Sequence, residues 1–310
     1  MWHSIFFVIL VIFTIIFIFR FGTNKPATHT DLEESNQSNT QIQMEIDTLE
    51  ALLPMSDTPI LNINPKWRDC LRSHHNIFLK EYEAFTSKYT VAPHRSSVGV
   101  YASSIDKYDK WNSIVLRLFG NDTKFAHMFP KTMRILNSVE QPFPSIIFST
   151  LSPGAVLEPH RGVTKAVLRY HLGLRVPKAF DNCHISLWDE NGKEFKHSWE
   201  AGKDVVFDDT FEHGVQNRTK ESRTVLFLDV QREYNDTKHQ KVRDRLLQIG
   251  NNVVHYNELK RIDALWARTL RVRHLSRLRK KNQSRRAHGF GFRSSHHAPN
   301  PPYKITRTAI

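Results

Sequence analysis

The chain has 310 residues, 44 Lys and Arg against 31 Asp and Glu, and a formal net charge of +13. That length holds one domain of ordinary size plus appendages, and the mixed charges and many aromatics exclude a wholly disordered chain. Two widely separated cysteines, Cys70 and Cys183, exclude a disulfide framework and leave one bridge or none.

From Ile5 to Phe19 only Thr14 is polar. With Trp2 ahead and Arg20 able to snorkel behind, residues 1–22 reach the roughly 17 apolar residues of a spanning helix. The expectation is a single-pass membrane anchor: no Lys or Arg precedes the segment and no small-x-small site follows it, which argues against a cleaved signal peptide. Two signals disagree about the side of the membrane. Arg20 and Lys25 follow the helix and favour a cytosolic body, whereas the sequons at Asn121, Asn217 and Asn235 are usable only in a lumen.

Residues 23–57 are rich in Thr, Ser, Asn, Gln and Glu and carry too little apolar surface to offset chain entropy, so a flexible stem is expected there. Beyond Pro59 the oxygen-rich texture ends. Trp67, Leu71, Ile77, Phe78, Tyr82 and Phe85 recur at intervals near three and four, which predicts packing helix. Ser97–Tyr101 and Ser113–Phe119 read as strands, and Pro130 opens a helix reaching Leu136.

From Ser145 short strands follow one another: Ile146–Leu151, Ala166–Val176, Cys183–Trp188, Glu194–Trp199, Asp204–Phe207 and Thr224–Val230. Ser-Pro-Gly, Asp-Asn, Glu-Asn-Gly and Ala-Gly-Lys separate them. The expected class is mainly β, a double-stranded β-helix or jelly roll over residues 58–232 with flanking helices. Residues 233–286 read as a basic helical extension and 287–310 as a disordered tail. Leu265, Val272, Leu275 and Leu278 form an apolar stripe among cations, suited to an anionic membrane or an acidic partner; no nucleic-acid motif accompanies the charge.

Within the strand series, His160 in PGAVLEPH and His213 in VVFDDTFEH each stand at a strand end. Imidazole suits iron, zinc, copper or nickel, and two such ligands leave coordination positions open. Arg169 and His171 alternate with leucine and tyrosine in LRYHLGL, so on a strand both point to one face and make a cradle for a carboxylate. Arg223, opening a strand, offers a bidentate donor to a second carboxylate. A dicarboxylic acid satisfies both.

In that order and spacing, PHRG, LRYHLGL, FDDTFEH and SRTVLFLDV resemble the aspartyl/asparaginyl β-hydroxylase family of iron(II) and 2-oxoglutarate dependent oxygenases, over about residues 110–232. The resemblance implies a double-stranded β-helix, iron(II) on His160 and His213, and 2-oxoglutarate and O2 as cosubstrates. It also implies Arg223 and Ser149 on the distal carboxylate of 2-oxoglutarate, with Arg169 and His171 near its chelating end. Most oxygenases of this chemistry carry a carboxylate two residues after the first histidine; here that residue is Gly162. The family's eukaryotic peptide hydroxylases also have glycine there, whereas its bacterial lipid A acyl-chain hydroxylases resemble HRD. Asp209, ahead of Asp208, is then the residue expected to orient a water in the vacant position. The implied reaction is hydroxylation of an unactivated carbon, the β-carbon of Asp or Asn in a peptide. Acyl-chain hydroxylation and a jelly-roll binding module without catalysis are the alternatives.

Overall fold

A computed structural model describes residues 29–98, 104–254 and 258–270. Its centre is the strand series. A seven-stranded sheet runs in the order β1-β9-β6-β11-β4-β2-β3 and a four-stranded sheet in the order β5-β10-β7-β8. In the larger sheet these are β1 Ile60–Leu61, β2 Trp111–Leu118, β3 Asn121–Asp122, β4 Ile146–Leu151, β6 Val167–Arg175, β9 Asp204–Phe207 and β11 Arg223–Gln231. The smaller sheet holds β5 Ala155–His160, β7 Cys183–Trp188, β8 Glu194–Ser198 and β10 Glu212–Asn217. From β4 to β11 successive strands therefore cross from one sheet to the other at every step except the β7–β8 hairpin, the pattern of a double-stranded β-helix.

Period-two alternation assigns the two faces of the larger sheet. One side, with Ile146, Phe148, Tyr170, Leu172, Leu226 and Leu228, packs under helices carrying Leu71, Phe78, Tyr82, Phe85 and Leu136. The other side, with Leu151, Val205, Phe207 and Val225, meets Leu157, Cys183, Ile185, Leu187 and Val215 of the smaller sheet. Both faces of the central strands are thus covered, and all six residues of β4 (IIFSTL) are buried. The covering helices are α2 Lys66–Ser73, α3 His75–Thr86 and α5 Pro130–Ser138.

Two expectations are corrected. Residues 29–52 of the presumed stem form helix α1, His29–Leu52. Ile46, Leu49 and Leu53 recur at helical spacing and pack with Ala166, Tyr234, Val242 and Leu246, the last two on helix α6, Thr237–Ile249. Sparse apolar residues, placed on one stripe, suffice to dock a helix that composition alone assigns to disorder. Arg95–Val98 is a helical turn, α4, and not the start of a strand, because Ser96 and Ser97 donate their amides to Pro93 and His94 in turn geometry. Pro159 is the penultimate residue of its strand, which ends at His160. It sits within β5, an edge strand, where a missing N–H costs no ladder bond.

The C-terminal extension is helical over α6 and again over α7, 258–270, where Ile262 is buried and Leu259, Leu265 and Trp266 pack on the core. Leu265 therefore packs on the folded body; Val272, Leu275, Leu278 and the tail lie outside the described residues. So does the apolar segment 1–22. Among the described residues no helix is long and apolar enough to cross a membrane.

Candidate active site

His160 is the last residue of β5 and His213 the second of β10. These strands are antiparallel neighbours, and the two histidines are register partners. Their ring centroids are 4.1 Å apart. Each Nδ1 lies on a backbone carbonyl two residues earlier, Glu158 O at 2.7 Å and Phe211 O at 3.0 Å. A carbonyl only accepts, so both Nδ1 atoms carry the proton and both lone pairs reside on Nε2, the tautomer of a metal ligand. Burial lowers the pKa of both rings, that of His160 to about 3 with repulsion from His213 as the next cause, so the pair is neutral near pH 7.

The carboxyl group nearest this pair in role is Asp209. Its Oδ2 accepts from Arg169 Nε at 2.7 Å, and Gly162 donates its amide to the Asp209 carbonyl at 2.6 Å. Arg169 also ion-pairs with Asp229 and lies 4.7 Å over the Phe227 ring. Asp208 faces elsewhere: its Oδ1 accepts from Thr210 and its Oδ2 from Ser56 and Arg232. Among the described residues no group of three His, Cys, Asp or Glu could hold a metal ion together. The protein offers a pair of nitrogens.

Deeper between the sheets lies an unmatched cation. Arg223 is 2% exposed, its guanidinium stacks 3.9 Å over Trp199, and its Nε and Nη1 have no hydrogen-bond partner. Burial lowers its pKa to about 10, which leaves it charged near pH 7. His171 stands among Phe207, Phe227 and Trp199 with both ring nitrogens unpartnered, held well below its ordinary value by burial and then by Arg223 and Arg169. Ser149, two residues from the register partner of Arg223, accepts from Trp111 Nε1 at 3.0 Å. A buried guanidinium without a carboxylate is costly, and orphaned donors around it fit a bound anion. The residues present therefore fit an iron(II) ion at the histidines and a dicarboxylate reaching Arg223.

Arg169 and His171 do share one face, as alternation predicts, but Arg169 is already engaged by two aspartates. Trp111, His94 and Asp229 escaped the reading of the sequence. His94 stacks on Trp111 at 3.7 Å and its Nδ1 lies 2.8 Å from Ser113 Oγ. Asp229 was legible: residues 223, 225, 227 and 229 share one face of β11. Beside the histidines, Pro159, Arg161, Trp188, Asp189, Glu190 and Glu212 line an open groove of about 490 Å³.

The sequence profile of the family described as Aspartyl/Asparaginyl beta-hydroxylase matches residues 72–233. The ornithine lipid ester-linked acyl 2-hydroxylase of Rhizobium tropici is 28% identical over 164 residues, 53% of this chain and 56% of that protein. The aspartyl/asparaginyl beta-hydroxylase of Mus musculus is 39% identical over 85 residues, 27% of this chain and 10% of that one. Human aspartate beta-hydroxylase domain-containing protein 2 is 30% identical over 106 residues, 32% and 27% of the two chains. The chain thus spans about half the length of the first relative and far less of the others.

Proposed function

Because this chain belongs to the aspartyl/asparaginyl β-hydroxylase family, we propose that it is an iron(II) and 2-oxoglutarate dependent hydroxylase acting on the β-carbon of Asp or Asn in a peptide. The observation that carries the reading is the pair of Nδ1-protonated imidazoles, His160 and His213, above a buried Arg223 that lacks a carboxylate. Bound iron(II), with 2-oxoglutarate and O2, supplies the oxidising power to hydroxylate an unactivated carbon while succinate and CO2 are released. The chain's own residues hold and exclude. His160 and His213 would ligate the metal through Nε2, and their carbonyl partners fix ring orientation. Arg223 and the Ser149 hydroxyl would take the distal carboxylate of the cosubstrate, with His171 donating nearer its chelating end. Arg169, clamped by Asp209 and Asp229, would set the charge beside the site, and Asp209 would orient a water at the metal. Phe207, Phe227 and Trp199 exclude water from the interior.

Gly162 and the charged lining of the groove beside the histidines favour a peptide over an acyl chain. Lipid acyl hydroxylation is the second reading, supported by the longer match to the ornithine lipid enzyme. Residues 1–22 would fix the chain to a membrane. The test is succinate formation from 2-oxoglutarate against EGF-like peptides and acylated ornithine lipids. Peptide-dependent turnover that disappears in His160→Ala and in His213→Ala is the expected result; turnover unchanged in both variants rules the assignment out.

A further inference from the structure

The loop that follows His160 and the loop that precedes His213 are both fastened to one stretch of chain, residues 50–61. On the loop leaving His160, the Lys165 amide donates to Glu50 Oε2 at 2.8 Å, and its ammonium donates to the carbonyls of Glu50 at 3.0 Å and Leu53 at 2.9 Å. Leu53 is 2% exposed and packs against Ala166. On the loop entering β10, Ser56 donates its amide to Asp208 Oδ2 at 3.0 Å, Asp208 donates its own to Pro59 O at 2.9 Å, and Ile60 pairs with Phe207. Arg232 closes the ring: it donates to Pro54 O at 3.3 Å, ion-pairs with Asp208 at 2.5 Å, and gives its amide to Ala166 O at 3.0 Å. That ion pair is buried, its side chains 5% and 0% exposed.

These ties have a common destination. Lys165 stands five residues after His160, and Asp208 five before His213. A site with only two protein donors binds metal well only while their separation is held, since ligand geometry must be kept to about half an ångström. We propose that residues 50–61 are a strap that holds the two histidine loops at their working separation, with Lys165 and Asp208 as positioning residues for metal binding. The proposal rests on the reading of His160 and His213 as the metal site.

The test uses the full chain and Mn(II) as probe, titrated calorimetrically with 2-oxoglutarate present and O2 excluded. Lys165→Met and Asp208→Asn are each expected to weaken Mn(II) binding by about tenfold, the scale of a lost outer partner, with far-UV circular dichroism unchanged. Lys165→Arg, which keeps the donors to both carbonyls, should recover most of the affinity. If Asp208→Asn fails to fold, Glu50→Ala removes a single acceptor and should still weaken binding. A strap that served folding alone would lower Tm and leave Mn(II) affinity untouched in the folded variants; that outcome overturns the proposal. Wild-type protein without saturable Mn(II) binding would instead remove the metal site itself, and the strap's role with it.

Discussion

The carboxyl group of Asp209 stands where a side chain on Gly162 would have to go: a Cβ built on Gly162 comes within 2.3 Å of its Cγ and Oδ2. The glycine is thus matched to its neighbour and is not merely a missing ligand. An acid at 162 would meet a resident acid held by Arg169, with like-charge repulsion added to the clash.

Gly162→Ala should therefore destabilise the fold by about 1–3 kcal/mol, the cost of overpacking. Chemical denaturation measures it. Asp209→Gly combined with Gly162→Ala should recover much of the loss, a coupling that a double-mutant cycle reads directly.

Arg223 is a buried cation waiting for an anion. Replacing it with Met removes an uncompensated charge while keeping volume, so the free protein should be no less stable, and by the scale of such replacements up to about 2 kcal/mol more so. The same variant should lose the rise in Tm that 2-oxoglutarate gives the wild type. A thermal shift series with and without the diacid checks both halves, and a retained ligand shift in the variant would refute the role.

His94, buried against Trp111, is held down to about 3 by burial and then by Arg169. Its folded value lies below the unfolded one near 6.5, so the unfolded chain binds the extra proton. Stability from keeping it neutral is present above pH 6.5 and is lost progressively as pH falls toward 3. Between pH 7 and pH 5 that loss amounts to about 2 kcal/mol for this group. His94→Gln, which cannot titrate, should show a correspondingly smaller difference in urea unfolding at the two pH values.

Cys70 and Cys183 are both free, Cys183 fully buried with its thiol acidity weakened by burial. A thiol-reactive dye should label only Cys70 in the native protein and both cysteines after denaturation. Equal labelling of both in the native state would contradict the placement of Cys183 between the sheets.

How much of this was legible beforehand follows the range of the forces involved. Short strands such as IIFSTL, CHISLW and DVVF could be bounded to the residue, because burial on alternate faces and the turn residues between them are local facts. Helix α1 and strands β5 and β10 were not. Their sequences are polar or contain proline, and they order only because a partner surface accepts a narrow apolar stripe or an edge ladder.

The sequence by itself determined the order of the strands, the residue types at their ends, and the pairing of two histidines with Arg169, His171 and Arg223 on strand faces. Only the tertiary structure decided that His160 and His213 are cross-strand partners, that Asp209 fills the space at Gly162 while Asp208 turns to Arg232, and that residues 50–61 contact both loops next to the two histidines. The reason is that side-chain alternation is written in each strand alone. Register between strands, and the choice each buried carboxylate makes among available cations, depend on contacts between residues about forty to one hundred and fifty positions apart.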